Sequence, residues 1–350
     1  MRLPRLKLPP DRDAYYHCVS RVVDRRFIFG DPEKLHFLRL LRECESFCAV
    51  RILAFSIMSN HFHILLHVPP RPQSLPSPDQ ILHQLSLLSG PSSHASYSLA
   101  RDHFERLRLH PQPAELDRYL ASFHARMYDV SAFMKLLKQR FSLWYNARHQ
   151  RHGTLWEERF KSVLVDGAGK ALVTMAAYID LNAVRAGIVR DPKDYRWCSY
   201  GEAVAGLPRA AEGLQFLVTA LGGGREETVP RSLEIYRQHL YLEGDERRES
   251  TGPDGEPVRG ALAAEDVAKV LQAKGKLPLS AYLKCRVRYF CDGAVLGSRA
   301  FVEEQFHSFR HRFGPRRTTG ARRMRGLADL PLFTWRDLQR NLFGHPGAGG

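Results

Sequence analysis

The sequence predicts an α+β fold, in which an antiparallel sheet with helices is followed by a mainly helical, basic region. Three observations favour this class. Residues 57–69 alternate in polarity with the strand period of two. The elements up to this stretch read in the order strand, helix, strand, strand. Past Pro230, three stretches with short connections have helical character, at 263–273, 279–290 and 298–313.

The first half of the chain supplies the predicted sheet. Strand-forming residues predict a first strand at 15–20 and a second at 50–58. Between them a helix runs to Cys48, with Asp31 as its expected N-cap and Pro32 in its first turn. The Pro-, Ser- and Leu-rich stretch 69–118 is predicted to be a surface insertion, with one helical piece around residues 79–88.

The second half supplies two helices, one strand and a change of composition. A long helix with a basic side is predicted at 129–149, a strand at 160–165 and a helix at 170–186 that stops at Gly187. We expect a first domain at 1–205, a linker at 206–230 and a second region at 231–350. The three helices of that region suggest a helix-turn-helix-like module, although three helices also suit many domains that bind no DNA.

The strand within 57–69 has two different faces. One is wholly apolar and suits a core, with Phe62, Ile64, Leu66 and Val68. The other carries His61 and His63, which would lie roughly 6–7 Å apart and can converge on one divalent ion. His67 faces the same way but lies about 13 Å from His61, too far for the same ion. A surface strand that merely happens to carry histidines fits equally well, so a metal site requires another ligand elsewhere.

That ligand is offered by the helix at 170–186. Tyr178 and Asn182 are four residues apart, hence on one face, and Arg185 falls on the same face. A half-buried tyrosine at a helix edge is the plainer interpretation. Combined with the histidines, however, the amide oxygen of Asn182 could help to hold a divalent ion while the Tyr178 phenol attacks a phosphodiester in line. The product would be a covalent phosphotyrosine that stores the bond energy for rejoining.

Charge predicts the partner. The 350 residues carry a formal net charge of +15, and the pI is about 9.8. Residues 281–350 contain 13 Lys and Arg against 5 Asp and Glu. This favours nucleic acid over a membrane, although a basic surface that is only solvated is the alternative. The candidate DNA contacts are Lys135, Lys138, Arg140, Arg148, Lys161, Arg185, Arg316, Arg317, Arg322 and Arg323.

The six scattered cysteines form no Cys-x-x-Cys, which argues against a zinc ribbon. The first residues lack an apolar signal-type stretch, and no segment is apolar for long enough to span a membrane. We therefore expect reduced thiols and a cytoplasmic location, in a bacterium near the nucleoid.

Three motifs together resemble a known family. They are Ser59-Asn60-His61-Phe62-His63, then Lys161-Ser162 with Asp166, then residues 177–187 with the sequence Ala-Tyr-Ile-Asp-Leu-Asn-Ala-Val-Arg-Ala-Gly. The combination resembles the single-tyrosine transposases of the IS200 kind, and in particular their REP-associated branch. The resemblance covers about residues 15–200. Ala183 stands where relatives often carry proline, a position without a chemical role.

The resemblance implies a ferredoxin-like sheet with helices on one face and a nuclease for single-stranded or hairpin DNA. It implies Mg²⁺ or Mn²⁺ held by His61, His63 and Asn182, and Tyr178 as the nucleophile that leaves a 5′-phosphotyrosine. A homodimer is compatible with this reading. The long tail lies outside the shared domain, so its DNA-binding role is inferred from charge alone.

Three other functions compete with this one. A repressor or hairpin binder could keep the scaffold without transposition. An RNA-binding protein would need exposed aromatic residues on the central strands, where this chain has histidines. A zinc hydrolase would need a third ligand of the usual kind, such as a helical His-Glu-x-x-His. Tyr145, Tyr128, Tyr15 and Tyr16 compete with Tyr178 as nucleophile, but none has a ligand-type residue one turn away.

Overall fold

The computed structural model describes residues 5–241, 290–291, 294–324 and 332–335. Within them, seven strands form one mixed sheet in the order β2-β3-β1-β4-β5-β7-β6. The strands are β1 (Ala14–Arg21), β2 (Arg51–Ile57), β3 (His61–Val68), β4 (Lys161–Val165), β5 (Val295–Gly297), β6 (Arg322–Arg323) and β7 (Phe333–Trp335). The fold is α+β, and β1 to β4 pair antiparallel as predicted.

Eleven α-helices have assigned bounds in the described part of the chain. They are α1 (Asp31–Phe47), α2 (Pro78–Ser86), α3 (Pro91–Leu109), α4 (Pro113–His124), α5 (Val130–Arg148), α6 (Lys170–Asp180), α7 (Asn182–Arg185), α8 (Ser199–Val204), α9 (Pro208–Leu221), α10 (Val229–Tyr241) and α11 (Arg299–Ser308). None of these is both long and apolar enough to cross a membrane.

The apolar face of β3 lies on the main core. Phe62 is fully buried, and its ring centroid lies 4.7 Å from that of Phe37 on α1. Phe141 of α5 packs edge-on against Phe37 at 5.2 Å. The alternation read from the sequence therefore separates the two faces correctly, because successive strand side chains point to opposite sides of the sheet.

The histidine face is also covered by helices, which corrects the expectation of helices on one face. Helix α6 places Tyr178 over this face, and α9 packs its Phe216 ring 5.3 Å from the ring of His67. Gly213 brings α9 close to β2, since a Cβ at this position would lie 3.0 Å from the carbonyl oxygen of Ile52. The histidines therefore lie between the sheet and a second helical layer.

Several local predictions need correction. The N-cap of α1 is Gly30, so Asp31 is already the first helical residue. The predicted insertion at 69–118 contains α2, α3 and the start of α4, and these helices bury Ile81, Leu85 and Phe104. The predicted linker at 206–230 contains α9, which buries Leu214 and Leu217. Apolar spacing within these stretches outweighs their Pro and Gly content.

The described C-terminal segments extend the sheet formed by β1 to β4. Strand β5 runs parallel to β4, and β7 and β6 follow it antiparallel. At the end of β4, the Asp166 carboxylate accepts hydrogen bonds from the Ser298 backbone N–H at 3.0 Å and the Ser298 hydroxyl at 2.7 Å. The predicted boundary between 205 and 231 thus does not divide the sheet.

The predicted helix at 298–313 corresponds to α11 and a short 3₁₀ turn. The candidate helix at 263–273 and nearly all of the one at 279–290 lie outside the described residues, as do Cys285 and Arg325.

Candidate functional site

Strands β1 and β3 together place three histidines on one face of the sheet. His61 and His63 project from β3, and their ring centroids are 5.2 Å apart. On β1, Val19 lies opposite His63 and His17 lies opposite Leu65, so His17 is a diagonal neighbour of His63. The rings of His17 and His63 stack with centroids 5.1 Å apart. His17 is a site residue that the sequence analysis missed.

The third histidine is part of a hydrogen-bonded chain. The carbonyl oxygen of Phe290 lies 2.7 Å from His17 Nδ1, and His17 Nε2 lies 2.9 Å from His63 Nδ1. Both rings are buried. Burial lowers the pKa of His17 to about 4, and burial together with the neighbouring His17 places the pKa of His63 well below its usual value. Both imidazoles are therefore neutral at pH 7.

A second hydrogen bond fixes His61. Its Nδ1 lies 2.7 Å from the side-chain oxygen of Asn60, whose amide nitrogen donates to the carbonyl of Arg25 at 3.0 Å. That second contact orients the amide, so its oxygen faces the ring. In the neutral ring, His61 Nδ1 is then the protonated nitrogen and Nε2 carries the lone pair.

Tyr178 lies next to the histidines, beneath the C-terminal part of the chain. Its ring centroid is 6.4 Å from that of His63 and 6.3 Å from that of His17, both in edge-on geometry. The Phe290 ring packs against it at 4.8 Å, and its hydroxyl oxygen lies 3.2 Å from Cys291 Sγ. Only 2% of Tyr178 is exposed.

The helix that carries Tyr178 is interrupted before Asn182. The prediction of one continuous helix at 170–186 is wrong, because α6 ends at Asp180 and α7 begins at Asn182. Arg185 donates to the Tyr178 carbonyl at 2.6 Å, which is the acceptor that a continuous helix would offer to the Asn182 N–H. The Arg185 guanidinium also lies 3.8 Å from the Tyr178 ring centroid. The predicted shared face of Tyr178 and Arg185 is present.

Asn182, the third predicted ligand, is the first residue of α7. It is buried, and its amide nitrogen has no hydrogen-bond partner among the described residues. In the same part of the chain, no group of three His, Cys, Asp or Glu side chains is arranged to hold a metal ion. A divalent ion at His61 and His63 would thus need an oxygen donor such as Asn182 or a substrate phosphate. Two imidazole nitrogens with oxygen donors suit several divalent ions, so the residues fit such an ion.

The predicted DNA contacts divide by their surroundings. Arg140 binds within the protein, with Nη2 lying 3.0 Å from the Glu43 carboxylate and 2.6 Å from the Ser89 carbonyl. Lys138 donates to the Glu158 carbonyl at 3.0 Å, and burial lowers its pKa to about 8. Arg317 is half-buried and donates to the Thr319 and Gly320 carbonyls. The exposed ones are Lys135, Arg148, Lys161, Arg316, Arg322 and Arg323.

Known proteins resemble part of this chain. Residues 12–97 match the family model described as "Transposase IS200 like". The match includes His61 and His63 and ends before Tyr178, and it spans 86 of the 350 residues. Over this range it confirms the resemblance seen in the sequence motifs. A search of curated proteins finds no match.

One solved structure is similar over a longer stretch. It is described as "Structure of the REP associates tyrosine transposase bound to a REP hairpin". The alignment covers 58% of this chain and 87% of that one, at 12% sequence identity and a TM-score of 0.37. At that TM-score, the arrangement of one chain does not transfer to the other.

Proposed function

We propose that the protein is a transposase-type endonuclease and strand transferase for single-stranded or hairpin DNA, with Tyr178 as its nucleophile. The observation that carries this proposal is the placement of the Tyr178 ring 6.3–6.4 Å from two imidazoles of the histidine face, His17 and His63. The family match at 12–97, which includes the strand with His61 and His63, supports a transposase-type reaction.

The chemistry would proceed by in-line displacement at phosphorus. The Tyr178 oxygen forms a bond to the phosphorus, the bond to the 3′ oxygen breaks, and the phenol proton leaves for solvent. The 3′ oxygen takes up a proton and departs as a free hydroxyl, so the 5′ end stays on Tyr178. Reversal by another 3′ hydroxyl rejoins DNA without ATP, because the phosphotyrosine conserves the energy of the broken phosphodiester. The tyrosine leaves readily in this step, since a phenoxide is a better leaving group than an alkoxide.

Each site residue has a distinct proposed role. His61 and His63 would hold Mg²⁺ or Mn²⁺ through Nε2, together with the oxygen of Asn182. When bound there, such an ion withdraws charge from the scissile phosphate. Arg185 restrains the Tyr178 ring and its carbonyl. Because Tyr178 is buried, Phe290 and Cys291 must move away from its ring before a phosphate can approach.

We propose that Lys161 binds the DNA backbone beside the histidines. It pairs with Val19 on β1, and Val19 pairs with His63 on β3, so all three lie in one row across the sheet. Adjacent strands are about 4.8 Å apart, which places the Lys161 and His63 backbones about 10 Å from one another. The Lys161 side chain is exposed and lies 3.5 Å from Glu158.

A second candidate is a hairpin-binding repressor without strand transfer. The burial of the Tyr178 hydroxyl against Cys291 favours it, since a binding protein needs no accessible nucleophile. The two functions differ in whether a covalent product forms.

A covalent-adduct gel separates these functions. Labelled hairpin oligonucleotides are incubated with the protein and Mg²⁺, Mn²⁺ or EDTA, and denatured in SDS. We expect an SDS-resistant band that needs metal and disappears in Tyr178→Phe. Tyr145→Phe is the matched control, because Tyr145 lies on α5 and stacks on His149 instead. An adduct that persists in Tyr178→Phe rejects the nucleophile. Tight binding without any adduct favours the repressor.

A further inference from the structure

His17 is the middle member of a relay of hydrogen bonds, and the structure determines which atom donates at each step. A backbone carbonyl can only accept, so His17 Nδ1, which lies 2.7 Å from the Phe290 oxygen, must carry a proton. The ring is fully buried and neutral, so its other nitrogen, Nε2, has a lone pair and no proton. His17 Nε2 is therefore an acceptor.

The acceptor on His17 fixes the proton on His63. His63 Nδ1 lies 2.9 Å from His17 Nε2, and two lone pairs at that distance would repel. His63 Nδ1 must therefore be the donor. A neutral imidazole carries only one N–H proton, and in His63 that proton is on Nδ1. His63 Nε2 is therefore the nitrogen with the lone pair.

From this geometry we infer that His17 is a positioning residue, which holds His63 in the tautomer that presents an Nε2 lone pair to a divalent cation. The inference rests on the proposed use of His63 as a metal ligand. His17 would not touch the metal or the DNA. It would act through His63, as second hydrogen bonds to ligating histidines generally do.

The opposite tautomer would block the site. If His63 carried its proton on Nε2, an N–H would point where a cation needs a lone pair, and metal binding would first require the proton to move. His61 has the equivalent device in Asn60, whose oxygen accepts from Nδ1 at 2.7 Å. Both proposed ligands are thus held in the same tautomer by different partners, one local in sequence and one on the neighbouring strand.

The Phe290 carbonyl makes the relay depend on the C-terminal part of the chain. Phe290 is 273 residues from His17 in sequence, yet its carbonyl oxygen accepts the hydrogen bond from His17 Nδ1. Its ring packs on Tyr178, so one residue orients the histidine relay and contacts the proposed nucleophile.

Three variants of the full-length chain test the role of His17. His17→Leu removes the acceptor and keeps an apolar side chain in the buried position. His17→Gln offers an amide oxygen to His63 Nδ1. His67→Leu is the matched control, because His67 lies on the same face of β3 but bonds to Asp13 and is outside the relay. Circular dichroism melting checks that each variant folds.

The first measurement is made without metal. Ring ¹⁵N chemical shifts of labelled histidine report which nitrogen of His63 is protonated. We expect a proton on Nδ1 in the wild type, in His17→Gln and in His67→Leu, and a shift toward Nε2 protonation in His17→Leu. A wild-type His63 protonated on Nε2 would overturn the inference, even if His17→Leu failed to fold.

The second measurement is Mn²⁺ affinity by calorimetry, with no DNA present. We expect His17→Leu to bind Mn²⁺ about 10- to 100-fold more weakly, and His17→Gln to recover most of that loss. Unchanged affinity in a folded His17→Leu would refute the role of His17 alone. If Mn²⁺ binding by the wild-type protein does not depend on His61 and His63, the proposed metal site itself is rejected. The two failures are therefore distinguishable.

Discussion

Arg140 and Arg323 carry the same charge in opposite surroundings. The Arg140 guanidinium is mostly enclosed, and it contacts the Glu43 carboxylate, the Ser89 carbonyl and the Ser93 hydroxyl. Arg323 lies exposed on the short edge strand β6. Sequence assigned both to DNA binding because charge is visible in a sequence and burial is not. The two residues should therefore respond differently to the same substitution.

Arg140→Gln is expected to lower the free energy of unfolding by about 2 kcal/mol, because it removes a mostly enclosed guanidinium that binds the Glu43 carboxylate and the Ser89 carbonyl. Arg323→Gln should change that free energy by less than about 0.5 kcal/mol. Urea titrations measure both, and DNA affinity in low salt should fall only for Arg323→Gln. Equal destabilisation by the two variants would contradict a stabilising role of the Arg140–Glu43 ion pair.

His239 gives the protein a pH-dependent stability. Burial lowers the pKa of this α10 side chain from 6.5 to about 4. Between these values the unfolded chain binds more protons than the folded one, so folding stability is complete above pH 6.5 and falls as the pH is lowered toward 4. The loss from this residue between pH 7 and pH 5 is about 2 kcal/mol.

His239→Leu is the test, because leucine keeps the volume apolar and removes the titrating group. We expect the free energy of unfolding of this variant to fall less between pH 7 and pH 5 than that of the wild type, by about 2 kcal/mol. Chemical denaturation at both pH values provides the comparison. The other buried histidines remain in both proteins, so a parallel decline in the two would mean that His239 does not contribute.

At the scale of single helices and strands, the features that depend on residues close in sequence were predicted correctly. The alternation in β3, the long helix α5 and the helix stop at Gly187, which has a φ of 69°, are all present. The break at Leu181 was not predictable, because it involves a hydrogen bond from the Arg185 side chain to the Tyr178 carbonyl. His17 was missed for a similar reason. Its partner on β3 is set by strand pairing between residues 46 apart in sequence.

Strand β5 gives the element-scale prediction. A Cβ on Gly297 would lie 2.5 Å from the Cβ of Asp166 and 2.8 Å from the Phe301 ring, so β5 fits beside β4 only without a side chain here. Gly297→Ala should lower the free energy of unfolding by about 1–3 kcal/mol. Gly314→Ala is the matched control, since its Cβ meets no atom within 4 Å. Thermal melts of both variants decide, and equal melting temperatures would argue against β5 docking here.

At the scale of the whole molecule, the sheet is completed by residues that lie far away in sequence. Strands β5 to β7 come from residues 295–335. They are too short to show a strand pattern in the sequence, so neither their existence nor their order in the sheet could be predicted. Charge, by contrast, is additive and can be read directly. The net charge of +15 predicts strong, salt-dependent association with a polyanion, whatever the fold.

The C-terminal arginines, Arg316, Arg322 and Arg323, are expected to carry part of that association. Each phosphate contact on single-stranded DNA adds about 0.7 to the slope of log affinity against log salt concentration, so replacing all three by Gln should reduce the slope by about 2. The matched control replaces three arginines of α3, Arg101, Arg106 and Arg108, which pair with nearby carboxylates. Fluorescence anisotropy across a salt series measures both triple variants. Because the change in net charge is identical, an equal loss of slope would mean that overall charge, and not this surface, drives binding.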